Sequence, residues 1–180
     1  MYKIMIWALA FNSTVALADN CGRYGCPAGS APGNQLLERP IYTLSNNAQT
    51  KFADWLAYRV HKQNLDGPKR SRNWKSDPNL SASSTLEPAD YKYAHATIQT
   101  DRGHQVPLGA FSNSSYWYMT NYLSNITPQS SNLNQGPWVN LELSIRDLAR
   151  TGTPAYVITG PLYEYAELPN ADEYHRIRNS

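Results

Sequence analysis

Chemistry in this chain is concentrated in the stretch Thr100 to Phe111, TDRGHQVPLGAF, where Arg102, Gly103 and His104 stand side by side ahead of a proline. An unperturbed imidazole titrates near about 6.5, so His104 can act as a base close to neutral pH. The planar fork of Arg102 suits an anionic group such as phosphate or carboxylate. Thirty residues on, Asn134 lies where a helix is expected to begin. Helix N-termini favour anions, and an amide oxygen can ligate a hard cation. These residues point to phosphoryl chemistry with a base and one metal ion, although capping a helix is the commonest task of an Asn at such a place. A second feature is PKRSRNWK, which holds Lys69, Arg70, Arg72 and Lys75 without an acid and encloses Trp74. It reads as a solvated loop or as a phosphate contact. Of the other three histidines, His61, His95 and His175, none has a sequence neighbour that argues for catalysis. No G-x-S-x-G elbow, H-E-x-x-H pair, P-loop or dinucleotide fingerprint is found.

The elements that must position these groups read as mixed α and β. IYTL (41–44) is expected as a strand, Asn46-Asn47 as a turn, and FADWLAYRV (52–60) as the returning strand. Residues 62–90 are rich in Pro, Ser, Asp and Asn, and a connection of that length in a compact domain is usually functional or disordered. YAHATIQT (93–100) is expected as a strand delivering the chain to Asp101, and NYLSNITP (121–128) as a short strand ending at Pro128. Gly136-Pro137 places proline at an expected first helical position. Trp138, Leu141, Ile145, Leu148 and Ala149 then recur at helical spacing, Glu142 and Arg146 stand four apart, and Gly152 is the stop. AYVITG (155–160) is expected as a buried strand.

With 180 residues the chain fits one domain with a real core. Its start, with Lys3, the apolar IMIWALAF and the small residues Ala16-Leu17-Ala18, has the pattern of a secretory signal cleaved after Ala18. The apolar run is too short to span a bilayer. Export would leave residues 19–180 as a membrane-free domain, secreted or periplasmic. Cys21 and Cys26, the only cysteines, are then most simply a disulfide, with half of a metal site as the weaker alternative. Net charge is +2, or +1 once Lys3 is removed (15 basic against 14 acidic residues), so bulk charge gives no argument for nucleic acid.

Several blocks, taken in order, do. DRGH (101–104), NYLSNITPQSSNLNQGPWVNLE (121–142) and VITGPLYE (157–164), together with TKFADWLAYRV, RNWKSDP, PADY and the Cys pair, resemble the DNA/RNA non-specific endonucleases of the ββα-metal superfamily. The resemblance runs from about Cys21 to Ile177. It implies an α+β fold, with an antiparallel sheet core and a ββα-metal motif carrying the site. The implied activity is cleavage of DNA and RNA with little sequence specificity. By resemblance His104 is the general base, Asn134 the protein ligand to Mg2+ (Mn2+ being the alternative ion), and Arg72 the group that neutralises phosphate charge in the transition state. Glu142 would hold water on the metal, Arg102 and Arg146 would support the site or the phosphates, and Asn125 matches a further position near it. Glu142 lies eight residues beyond Asn134, about 12 Å along a regular helix, which suits the metal's waters better than the metal. Family members continue past the block that matches HRI (175–177), so a C-terminally shortened member is expected. The alternative expectation is a catalytically impaired, nucleic-acid-binding remnant.

Overall fold

A computed structural model describes residues 19–22, 25–28 and 30–162. The expected signal segment, His175 and the region after Leu162 lie outside the described residues. Among the described residues no helix is long and apolar enough to cross a membrane.

Three strands, β1 (Gln35–Glu38), β2 (Thr43–Asn46) and β3 (Ala53–Val60), form an antiparallel meander. β3 then pairs with β6 (Ala155–Thr159), giving the order β1-β2-β3-β6. A separate antiparallel ribbon joins β4 (Thr100–His104) to β5 (Ile126–Ser130). A helical run follows β5 directly: a short α2 (Ser131–Leu133), a π turn at Asn134–Trp138, and α3 (Val139–Arg150). Ribbon plus helix is the ββα unit. Its helix packs back on the sheet, with Ala149 buried and Ile145 packed against Leu44, Leu56, Tyr58 and their neighbours. A second cluster, Phe52, Leu86, Tyr91, Leu123 and Ile126, lies under the ribbon, and Trp74 packs on it.

Several expected elements are moved or replaced. The first hairpin strand covers 43–46, and its turn runs over 47–52. The Asn47 side chain accepts from the Gln49 N–H at 2.9 Å, and Lys51 takes a positive φ of 65°. β1 was not foreseen. Of residues 93–100 only Thr100 lies in a strand, as the first residue of β4. Ala94–Ile98 is a short helix, α1, entered through Tyr93 and left through Gln99, both left-handed (φ 67° and 50°). The alternation there offers no apolar row to bury, since only Ala94 is buried, and two alanines favour the helix. The expected strand at 121–128 is two 3-10 turns, Trp117–Asn121 and Leu123–Asn125, followed by β5. β5 runs through Pro128 because both strands of a two-stranded ribbon are edges, where a missing N–H is tolerated. β6 is an edge strand and only half covered: Tyr156 and Ile158 are 46% and 56% exposed.

Residues 62–90 hold only two 3-10 turns, Lys62–Asn64 and Ala82–Ser84. They are nonetheless anchored. The Arg39 guanidinium donates to Asp77 Oδ1 at 2.6 Å in a buried pair, and Ser124 Oγ donates to the same carboxylate. Gly152 ends α3 with φ 101°, as expected of a helix stop.

Candidate active site

β4 ends at His104, paired with Ile126 across the ribbon. The carbonyl of His104 accepts from Trp138 Nε1 at 3.1 Å, and its ring lies 5.1 Å from the Trp74 ring. The next residues are locked by Asn125. Its Oδ1 accepts from the Val106 N–H (2.8 Å), and its Nδ2 donates to the carbonyls of Val106 (3.0 Å) and Thr120 (2.8 Å). Asn125 therefore fixes the path of the chain beyond His104 from a fully buried position, outside the cleft lining. Gly103 is not there for a left-handed turn. A Cβ on it would lie 2.4 Å from Gln129 Oε1 on β5, so the close approach of the two strands is what requires glycine.

His104 is buried, and its Nε2 has no hydrogen-bond partner among the described residues. Burial holds its pKa down to about 4, the charge of Arg72 pushes the same way, and Asn121 partly opposes them. At neutral pH the ring is an uncharged base with an uncommitted nitrogen.

A cleft of about 530 Å³ opens beside it, lined by Arg72, Trp74, Asp101, Arg102, His104, Asn134, Gln135 and Glu142 among others. Five of the six expected site residues therefore share one cavity. The sixth, Arg146, stands behind: its guanidinium is 3.6 Å from Glu142 Oε2 and lies under Gly109, where a Cβ would meet Nη1 at 3.1 Å. Burial raises the pKa of Glu142, against the opposing charge of Arg146. Arg102 lies over the rings of Tyr91 (5.1 Å) and Trp74 (5.8 Å), which fix its direction. Arg72 is exposed on a loop that is tied down on both sides: Asn121 Nδ2 donates to the Ser71 carbonyl (3.1 Å) before it, and the Lys75 N–H donates to the Asn121 carbonyl (3.2 Å) after it.

Asn134 does not begin a helix and its side chain caps none; its backbone N–H instead donates to the Ser131 carbonyl at the end of α2. It is already in helical conformation (φ −60°, ψ −43°) at the start of the π turn, and Pro137 lies inside that turn. Proline has no N–H to give, and its ring crowds the carbonyl four residues back, which favours the wider winding. The consequence is one of register. Eight regular α-helical steps of about 100° would leave Asn134 and Glu142 about 80° apart. With one residue absorbed by the π turn the pair is effectively seven steps apart, about 20° from alignment and about 10.5 Å along the axis. Both side chains then face the same cleft.

One residue of the site was not singled out from sequence. Asp101 Oδ2 accepts from Asn134 Nδ2 (2.9 Å) and Gln135 Nε2 (2.8 Å), and its Oδ1 accepts from Ser131 Oγ (3.0 Å). His95 Nδ1 stands 3.0 Å from the same Oδ1, so His95 does have a neighbour. Desolvation pushes the Asp101 carboxyl up, but hydrogen bonds from Gln135, Asn134, Ser131 and His95 outweigh it and bring the pKa to about 2. The signal available beforehand was a carboxylate inside the DRGH block facing two adjacent amides. His61, by contrast, only caps the 62–64 turn, accepting from the Gln63 N–H at 3.4 Å.

Oxygen donors dominate the cleft: the Asn134 amide, whose Oδ1 accepts no hydrogen bond among the described residues, and the Glu142 and Asp101 carboxylates. Among the described residues no cluster of three His, Cys, Asp or Glu side chains exists to hold an ion. Such a donor set fits a hard, largely hydrated divalent cation rather than zinc. The Cys21–Cys26 disulfide is present, which excludes the half-metal-site alternative.

Residues 21–178 match the model of the DNA/RNA non-specific endonuclease family. The chain is 45% identical over 178 residues to a nuclease of Serratia marcescens, covering 97% of this chain and 66% of that one. To mitochondrial endonuclease G of Bos taurus it is 35% identical over 155 residues, covering 77% and 50%. It thus spans under two thirds of the first relative and half of the second. The fold superposes on a chain of the crystal structure of the EndoG/EndoGI complex with a TM-score of 0.70 at 25% identity, over 84% of this chain and 61% of that one. On the motif blocks, the ββα unit and these matches together, the chain belongs to the DNA/RNA non-specific endonuclease family.

Proposed function

We propose that the chain is a metal-assisted endonuclease that hydrolyses phosphodiester bonds of DNA and RNA with little regard to sequence. The observation that carries this reading is His104: buried, uncharged at neutral pH, and lining a cleft that Arg72 and Arg102 also line. His104 takes the proton of a water whose oxygen attacks phosphorus, the bond from phosphorus to one sugar oxygen breaks, and that leaving oxygen takes up a proton from solvent. Arg72 meets the charge that builds on the phosphate oxygens, and Arg102, fixed on its two rings, orients the phosphate. Mg2+ (or Mn2+), bound by Asn134 Oδ1 with Glu142 holding its waters, would supply further positive charge to the phosphate and the leaving oxygen. Arg146 keeps Glu142 in place. Contacts of this kind go to phosphate and sugar, which carry no direct sequence information. The N-terminal pattern and the disulfide support export, with cleavage near Ala18 and action outside the cytoplasm.

The test is incubation of the exported chain with plasmid and with RNA, with and without EDTA, alongside His104→Ala. Cleavage of both substrates, abolished by EDTA and reduced on the order of a hundredfold or more in the variant, is expected. Wild-type turnover in His104→Ala removes the base assignment, and binding without cleavage by the unaltered chain removes the enzymatic reading.

A further inference from the structure

Asn134 can hold a cation only through its oxygen, yet an amide can present either end to the cleft, because its two ends differ little in shape. What selects the end is therefore part of the site. Asp101 makes that selection by elimination. An ionised carboxylate accepts hydrogen bonds and donates none, so only the Nδ2 end of Asn134 can face it. The pair is formed at 2.9 Å, with the carboxylate side chain only 16% exposed. Asp101 is itself pinned. Its Oδ2 also takes Gln135 Nε2 at 2.8 Å, and its Oδ1 takes Ser131 Oγ at 3.0 Å. Its position on β4, facing Gln129 in the ribbon, is set by the strand.

We infer that Asp101 is the positioning residue of the cation site: by accepting the Asn134 Nδ2–H it turns Asn134 Oδ1 into the cleft and holds it there. The inference rests on the reading of Asn134 as the metal ligand. It assigns Asp101 no contact with the phosphate and no proton transfer. Without the carboxylate the amide turns freely, and half of its orientations offer N–H groups to a cation. Losing a partner that orients a ligand typically weakens metal binding ten- to a hundredfold.

Mn2+ binding to the protein without nucleic acid, followed by electron paramagnetic resonance, reads this directly. Asp101→Ala is expected to raise the Mn2+ dissociation constant by about ten- to a hundredfold. In cleavage, excess Mn2+ should restore its turnover, whereas Asn134→Ala should stay impaired at any concentration. Asp147→Ala, which removes an exposed carboxylate outside the cleft lining, should bind Mn2+ as the wild type does. Should Asp101→Ala fail to fold, the double variant Asp101→Asn/Asn134→Asp decides. It reverses donor and acceptor, again leaves an oxygen for the cleft, and should bind Mn2+ far better than Asn134→Ala. A folded Asp101→Ala with unchanged affinity overturns the inference, as does a double variant no better than Asn134→Ala. Equal weakening in Asp147→Ala also overturns it, because loss of negative charge rather than of the Asp101–Asn134 contact would then be the cause. If the unaltered chain cleaves without metal and binds no Mn2+, the ligand reading of Asn134 is the part that fails.

Discussion

Lowering the pH strains the fold through His104 first. The folded imidazole titrates at about 4, with burial as the main cause and the Arg72 charge second, whereas an unfolded chain offers an ordinary site at about 6.5. As pH falls, the proton therefore binds the unfolded chain before the folded one. The stability contributed by keeping this ring neutral is complete above about 6.5, declines through the window down to about 4, and is gone below it. At 1.36 kcal/mol per pH unit the window amounts to roughly 3 kcal/mol, a large part of the stability of a domain this size. Carboxylates titrate nearby, so the measurement is a difference. Urea unfolding, followed by tryptophan fluorescence, is compared between wild type and His104→Gln across the window. Asp101, held at about 2, stays ionised throughout, and Glu142, raised by burial, is common to both chains. The wild type should lose roughly 3 kcal/mol relative to the variant between the two ends. The His104 ring carbon, observed by NMR, should titrate near the lower end, and Arg72→Ala should move that midpoint upward. Turnover should stay level from neutrality down to about pH 5, since the base remains unprotonated. A midpoint at or above about 6, or a flat stability difference, refutes the claim that the site is desolvated and cationic.

Arg72→Ala should lower turnover on the order of a hundredfold with little change in binding, while Lys69→Ala, outside the cleft lining, changes neither; equal, small, salt-sensitive losses at both would leave Arg72 a mere rim contact. Arg72→Lys should rescue poorly, because a point charge does not reproduce the guanidinium fork. Asp77→Ala leaves the buried Arg39 charge uncompensated and should cost about 3–5 kcal/mol in urea unfolding, loosening the 62–90 loop. The Cys21–Cys26 bridge closes a short loop, so the unreduced exported chain should lack free thiols by mass, and reduction should cost only about 2 kcal/mol.

The sequence carried the site better than it carried the elements. His104, Arg72, Arg102, Asn134 and Glu142 could be named from local blocks, since each block brings its own chemistry wherever the chain takes it. Their convergence could not be read that way. It depends on the ribbon register, on Asn125 clamping the segment after His104, and on the loop from Ser71 to Lys75 being tied to Asn121. The misplaced elements share a cause. Alternation at 93–98 imitates a strand, but the second row it would bury has nothing to cover it. Proline at 137 imitates a helix start, because a sequence does not reveal whether the four residues before it are already wound. Asp101 escaped notice because its importance lies in what it accepts, and none of those donors is adjacent to it in the chain.

The π turn also bears on how this site can be lost or gained. Removing a single codon between Asn134 and Trp138 would relieve the wider winding yet leave Glu142 seven regular steps, about 20°, from Asn134, so the register is kept. Rewinding the same residues as regular helix, with none removed, would turn all that follows by about 100° relative to Asn134. Glu142 would leave the cleft and Arg146 would follow it. The helix itself would become more regular, and Pro137 alone would resist the change. In genetic terms this turn is a frame within the frame. Removal of one residue from this segment should therefore keep Glu142 on the cleft side of the helix, whereas a length-preserving change that lets the segment rewind, such as Pro137→Ala, should turn Glu142 away from it.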